Sequence, residues 1–192
     1  MFINDFYCNI AYRNMQYLKN MKSATIQMKP QDVVILLKII AMRSDNWQQK
    51  PLADSLKMSQ SEISQAASRM QYAGILLGKK VMRLAFFDFL KYGLSYVFPQ
   101  KPGPIVRGMP TAHSALPLNK KIISEEQFVW PYAAGKVRGH GIVPLYSSVP
   151  DAAMNDSALY ELLALVDAVR VGRTREKDLA LKELEKRIVN GE

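Results

Sequence analysis

Hydrophobic positions recur at helical spacing over much of the chain from residue 28 onward. Behind Pro30, which suits a first helical turn, Val33, Leu36, Leu37 and Ile40 stand at i, i+3, i+4 and i+7. They predict a buried helix ending near Arg43–Asn46. Leu52, Ala53 and Leu56 predict a short helix from Gln49 to Leu56, followed by a break at Lys57–Met58. Ser59-Gln60-Ser61-Glu62 then has the form of a capping box, in which a hydroxyl and a carboxylate three residues apart satisfy each other's free amides. The helix it opens runs to Tyr72 with Ile63, Ala67 and Met70 inward, and Ala73-Gly74 ends it. Residues 75–77 read as a strand, with a tight turn at Gly78–Lys80 and a return over Val81–Ala85. Leu84, Phe87, Leu90, Leu94 and Val97 share one helical stripe and predict a buried helix over Arg83–Val97, with the turn shortened accordingly. Residues 99–150 are rich in Pro and Gly with few periodic stretches and read as irregular. In the tail, Asp156 or Ser157 caps a helix with Leu159, Leu162, Leu163, Val166 and Val169 on a wide apolar stripe. Gly172 breaks it, and Thr174 caps a second helix carrying Leu181, Leu184 and Ile188, with Glu183 on its outer face.

These elements divide the chain into an N-terminal extension with loosely helical spacing (1–27), a helical unit (28–98), an irregular segment (99–150) and a helical tail (151–192). The fold class expected is mainly α. With 48% hydrophobic and 22% charged residues, the composition excludes a disordered or collagen-like chain. The apolar run Val81–Phe98 is interrupted by Arg83, Asp88 and Lys91, so it is no membrane span. A first decade that contains Asp5 and no basic residue does not read as a secretory signal, and the single cysteine, Cys8, fits a reducing compartment. A cytoplasmic protein is expected. Charge changes the picture more. Residues 1–78 hold 9 Lys/Arg against 5 Asp/Glu, residues 79–150 hold 10 against 3, and residues 151–192 hold 7 against 9. A basic front and middle ahead of a mildly acidic tail point to a polyanionic partner for the first two segments.

Two short helices with a tight break, the second opened by a serine cap, describe a helix-turn-helix. Leu52-Ala53, Leu56-Lys57-Met58-Ser59-Gln60-Ser61-Glu62-Ile63-Ser64, Met70 and Ala73-Gly74-Ile75-Leu76 together resemble bacterial winged-helix regulators, the MarR-like group among them. The resemblance covers Met28–Leu77, about a quarter of the chain. Lys57 stands where that family usually has Gly in the turn, and Gln65 where Arg is frequent. The stretch from Val129-Trp130-Pro131 through Arg173-Thr174-Arg175-Glu176 is similar to the C-terminal half of small bacterial helix-turn-helix proteins, a likeness that carries no activity. The resemblance implies a winged helix with a short wing, double-stranded DNA as partner, and a dimer built by terminal helices.

In such a unit the second helix enters the major groove with its first residues against base edges. Its outward positions are Gln60, Ser61, Ser64, Gln65 and Ser68, and Gln suits bidentate pairing with adenine. Lys50, Lys57, Ser59 and Arg69, with Lys79 and Lys80 of the wing, are candidates for phosphate contact, which positions the protein without reading sequence. Lys101 and Arg107 join them if Gln100–Lys121, which holds no acid, runs as a basic arm along the backbone; otherwise that segment is a loop wrapping the helix before it.

Other chemistry has little footing. His113, His140 and Cys8 have no metal-ligand spacing. Gly135-Lys136 is not a phosphate-binding loop, because Trp130 occupies the earlier glycine position and no Ser or Thr follows the lysine. Glu125 and Glu126 with Lys136 make only a weak nuclease-like cluster, and Phe128, Trp130 and Tyr132 read as core. No catalytic residue, cofactor or metal is expected. The sequence therefore points to a homodimeric transcriptional repressor; the alternative is an antitoxin or adaptor that masks a partner enzyme through residues 100–150 and regulates its own operon.

Overall fold

In the computed structural model residues 27–191 are described, and the expected N-terminal extension lies outside them apart from Gln27. Helix α1 (Pro30–Ala41) starts at a proline and is apolar nearly all round, with Val33 to Leu37, Ile39 and Ile40 buried. Such a helix belongs at the centre of a core, not at its edge. Helix α2 (Gln49–Leu56) is joined to α3 (Gln60–Tyr72) by three residues. Lys57 takes up the left-handed conformation there, at φ 51°. The buried face of α3 is Ile63, Ala66 and Met70, so Ala66 replaces the expected Ala67, which is only half-buried. Strands β1 (Leu76–Leu77) and β2 (Lys80–Val81) pair antiparallel across Gly78-Lys79.

The predicted helix over Arg83–Val97 is interrupted. It consists of α4 (Arg83–Asp88), a π-helical turn (Phe89–Gly93) and α5 (Leu94–Val97). The wider turn shifts the facing of residues on either side of it. Phe86, Phe87, Leu90 and Leu94 are buried, while Leu84 of the expected stripe is 67% exposed and Val97 43%.

Residues 99–150 are irregular only in part, because three short strands run through them, and Gln100–Lys121 is not a free arm, since it contains the first of these. Strands β3 (Ile105–Pro110), β4 (Phe128–Pro131) and β5 (Val137–Gly141) close on one another. β3 pairs antiparallel with both others, and β4 pairs parallel with β5. Phe128 and Trp130 join the core as expected, while Tyr132, also expected there, is only half-buried. Helix α6 (Val149–Met154) leads to α7 (Ser157–Val171), which Asp156 caps by accepting the Leu159 amide at 3.0 Å. Helix α8 (Thr174–Glu185) is capped at Arg173, whose amide donates to Glu176, rather than at Thr174.

Every residue of α7 from Leu162 to Arg170 is buried within the chain. The tail stripe is thus intramolecular core against α1, α8 and the strands, and it is not a surface on which a second copy could seat. The described residues are mostly helical with two small sheets. Among the described residues no helix is long and apolar enough to cross a membrane.

Glu183 faces inward, contrary to the expected outer position, and lies between Lys121 (2.6 Å) and Arg187. The Lys121 ammonium, helped by Arg187, holds its carboxyl at about 2, well under the usual 4.5. A folded value below the unfolded one stabilises the fold above pH ~4.5, and that contribution disappears as the pH falls toward ~2. Glu183→Gln is expected to lose about 2 kcal/mol at neutral pH, with a shallower loss of stability across that acid window. Urea titrations at a series of pH values check both.

Candidate nucleic-acid interface

The turn between α2 and α3 is built from its own residues and braced from outside. The Met58 amide bonds the Ala53 carbonyl at 3.0 Å. The Ser148 hydroxyl, from the segment after β5, donates to the Leu56 carbonyl at 2.5 Å. Lys57 stands 3.5 Å from Asp151 on α6. At the head of α3 the capping box forms as the sequence predicts: Ser59 Oγ accepts the Glu62 amide (3.1 Å), and Glu62 Oε2 accepts the Ser59 amide (2.9 Å). Sequence reasoning had no signal for Tyr146, whose hydroxyl donates to Glu62 Oε1 at 2.6 Å. That bond, with those from Ser59, lowers the Glu62 pKa and raises that of Tyr146. The carboxylate sits where the positive end of the helix dipole favours it.

The outward face of α3 is polar and open. Gln60, Ser61, Ser64, Gln65 and Ser68 are all exposed. Gln65 donates to Ser61 Oγ at 3.3 Å, and Ser68 turns its hydroxyl back to the Ser64 carbonyl at 3.2 Å; both are weak bonds that a better partner can replace. Gln60 points into a groove whose other walls are Trp47, Lys50, Ala67, Gln71 and Lys79. Two hydrogen bonds fix the β1–β2 turn there: Trp47 Nε1 donates to the Lys79 carbonyl (2.8 Å), and Gln71 Nε2 to the Gly78 carbonyl (3.2 Å). The Lys79 ammonium stands 5.9 Å from the centre of the Trp47 ring. Lys50 and Gln60 stand at the heads of successive helices and Lys79 on the β1–β2 turn, and folding gathers them around one groove. Lys80 is exposed beside it.

The remaining candidates behave differently. Arg69 is not available to phosphate: it turns inward and forms a bidentate pair with Asp32, at 2.8 Å from Nε and 2.5 Å from Nη2. Ser59 is occupied by its own capping box, which also ties its hydroxyl to Glu62 at 3.0 Å. Lys57 remains largely exposed beside Asp151. Lys101, ahead of β3, and Arg107, on it, are exposed but do not line the α3 groove. His113 is buried, its Nε2 2.9 Å from the Glu126 carbonyl and its Nδ1 without a hydrogen-bond partner among the described residues, and His140 Nδ1 lies 2.9 Å from the Gly103 carbonyl. Glu126 faces Arg173 at 3.3 Å. No group of three or more His, Cys, Asp or Glu side chains placed to hold a metal occurs among the described residues. Comparison with known protein families, curated proteins and solved structures finds no match to this chain.

Proposed function

We propose that residues 30–81 form a winged-helix unit and that the chain is a sequence-specific duplex-DNA-binding transcriptional regulator acting as a repressor. In this reading α3 enters the major groove and the β1–β2 turn is the wing. The observation that carries it is the groove shared by Lys50, Gln60 and Lys79 beside a capped helix whose outward face is Gln and Ser. A phosphate contact at the head of α2, an amide suited to adenine at the head of α3, and a basic turn beside them are what a groove reader needs. The dimer expected from the resemblance stays part of the proposal, with its interface moved off the buried tail stripe.

The test starts from duplexes that the protein selects out of a random pool. Gln60→Ala removes a possible bidentate base contact and is expected to cost about 1–3 kcal/mol on the selected site with little change on scrambled DNA. Lys50→Ala is expected to weaken both alike and to reduce the salt slope by about one. Binding isotherms across a salt series separate the two. A specific-to-scrambled ratio unmoved by both Gln60→Ala and Gln65→Ala rejects base reading by α3.

A further inference from the structure

In the antiparallel pairing of β3 with β5, Arg107 lies directly opposite Arg138. Opposed residues of such a pair project from the same side of the sheet, and like charges in that position repel. Both arginines are exposed. Lys136 lies two residues before Arg138, on the turn that leads into β5, and it too is exposed. The turn bearing Lys136 is held against β3 by backbone contact: a Cβ placed on Gly135 would lie 2.3 Å from the Gly108 carbonyl, which leaves room for glycine alone. Three cations are thereby gathered, and none of them has an ion-pair partner among the described residues. Other exposed lysines and arginines also lack a carboxylate partner, so what sets this group apart is the direct opposition of Arg107 and Arg138 across two paired strands. Like charges set opposite each other, with no acid paired to them among the described residues, are relieved by an external anion.

The cluster is also connected to the groove-reading unit. The Tyr132 amide donates to the Arg107 carbonyl at 3.2 Å, and the Tyr132 hydroxyl donates to Asp151 at 3.0 Å. The other oxygen of Asp151 faces Lys57, in the turn that precedes α3. Resting on the duplex-binding reading above, we infer that Arg107, Lys136 and Arg138 form a second phosphate-contacting face, which lies on the backbone of the same duplex outside the groove that α3 enters. Arg107 alone would be one more surface cation. Opposed to Arg138 and flanked by Lys136, it becomes part of a strip that spans neighbouring phosphates.

The experiment uses the full chain, a random-sequence duplex of about 30 bp and a salt series, with Lys50→Ala as a parallel arm. Arg107→Gln/Arg138→Gln is expected to weaken binding roughly ten-fold at low salt and to reduce the salt slope by about two. Arg107→Lys/Arg138→Lys keeps the charges and should keep the slope. If the Gln pair leaves affinity and slope unchanged while Lys50→Ala lowers them, the second face is refuted and the reading of α3 stands. A Lys pair that loses as much as the Gln pair also refutes it, because the loss then follows shape and not charge. A wild-type protein without affinity for the duplex overturns both.

Discussion

Replacing Arg69 by Ala is expected to destabilise the protein by about 3–5 kcal/mol, a large part of the ~5–15 kcal/mol that holds a domain folded. The reason lies in its partner. Asp32, on the first turn of α1, is fully buried, and its two carboxylate oxygens accept from Arg69 Nε and Nη2, the side-on edge of the guanidinium, while Oδ2 also accepts the Lys29 amide at 2.9 Å. Without Arg69 the carboxylate stays in the interior with one backbone amide against its charge. Urea denaturation should show a lowered midpoint at an unchanged slope, the mark of a stability effect without loss of cooperativity. Asp32→Leu/Arg69→Met removes both charges and is expected to recover most of the loss, since a buried pair replaced by apolar residues of similar size is often neutral. A double variant as unstable as Arg69→Ala would mean that the arginine acts through something other than its pairing. The same variant tests the reassignment of this residue: the DNA salt slope of the charge-free pair should equal that of the wild type, in contrast to Lys50→Ala.

Arg69 also shows how far the sequence can be read. Its place on α3, near Gln65 and Ser68, marks it as an outward basic residue. Only the partner on α1, 37 residues earlier, turns it inward. Helices with many apolar residues in period were legible, as was the capping box at Ser59 and Glu62, because those features are local. The rotation of α3 that buries Ala66 in place of Ala67 is set by packing on α1, which no local pattern contains. The π turn at Phe89–Gly93 breaks the 3.6-residue period on which the stripe from Leu84 to Val97 depends. The strands of residues 105–141 were hidden because they are four to six residues long and glycine occupies inward positions at 108, 139 and 141, where alternation needs an apolar side chain. At the candidate site, the polar face of α3 and the basic turn could be found from sequence. Their meeting with Lys50 around a groove could not, nor could the Arg107–Arg138 opposition, since each depends on pairing across the chain. The tail pattern showed that Leu162 and Val166 are buried but not against what.

What α7 is buried against leads to the other large effect. Asp167, midway along that helix, accepts the Thr111 hydroxyl (2.9 Å) and Trp130 Nε1 (2.5 Å) on one oxygen and Arg170 Nη1 (2.7 Å) on the other. Arg170 in turn donates to the carbonyls of Phe98 (3.1 Å) and Val143 (3.2 Å). One buried carboxylate therefore ties the strand unit to α7 and holds the arginine that clasps the segments on either side of it. Asp167→Ala leaves a buried guanidinium without its counter-charge and two donors without an acceptor, and is expected to cost about 3–5 kcal/mol or more. Thr111→Val, which removes a single neutral donor, should cost only about 1 kcal/mol. The two tryptophans report separately, Trp130 from the strands and Trp47 from the groove beside α3, once each is isolated by a Phe substitution at the other and compared with the same Phe variant bearing Asp167, because Trp130→Phe itself removes one donor to that carboxylate. Because the core runs without a break from α1 through the strands to α8, both probes should move to lower urea together in Asp167→Ala. If Trp130 melts while Trp47 holds its midpoint, the network secures the strand unit alone, and the two parts of the molecule unfold independently.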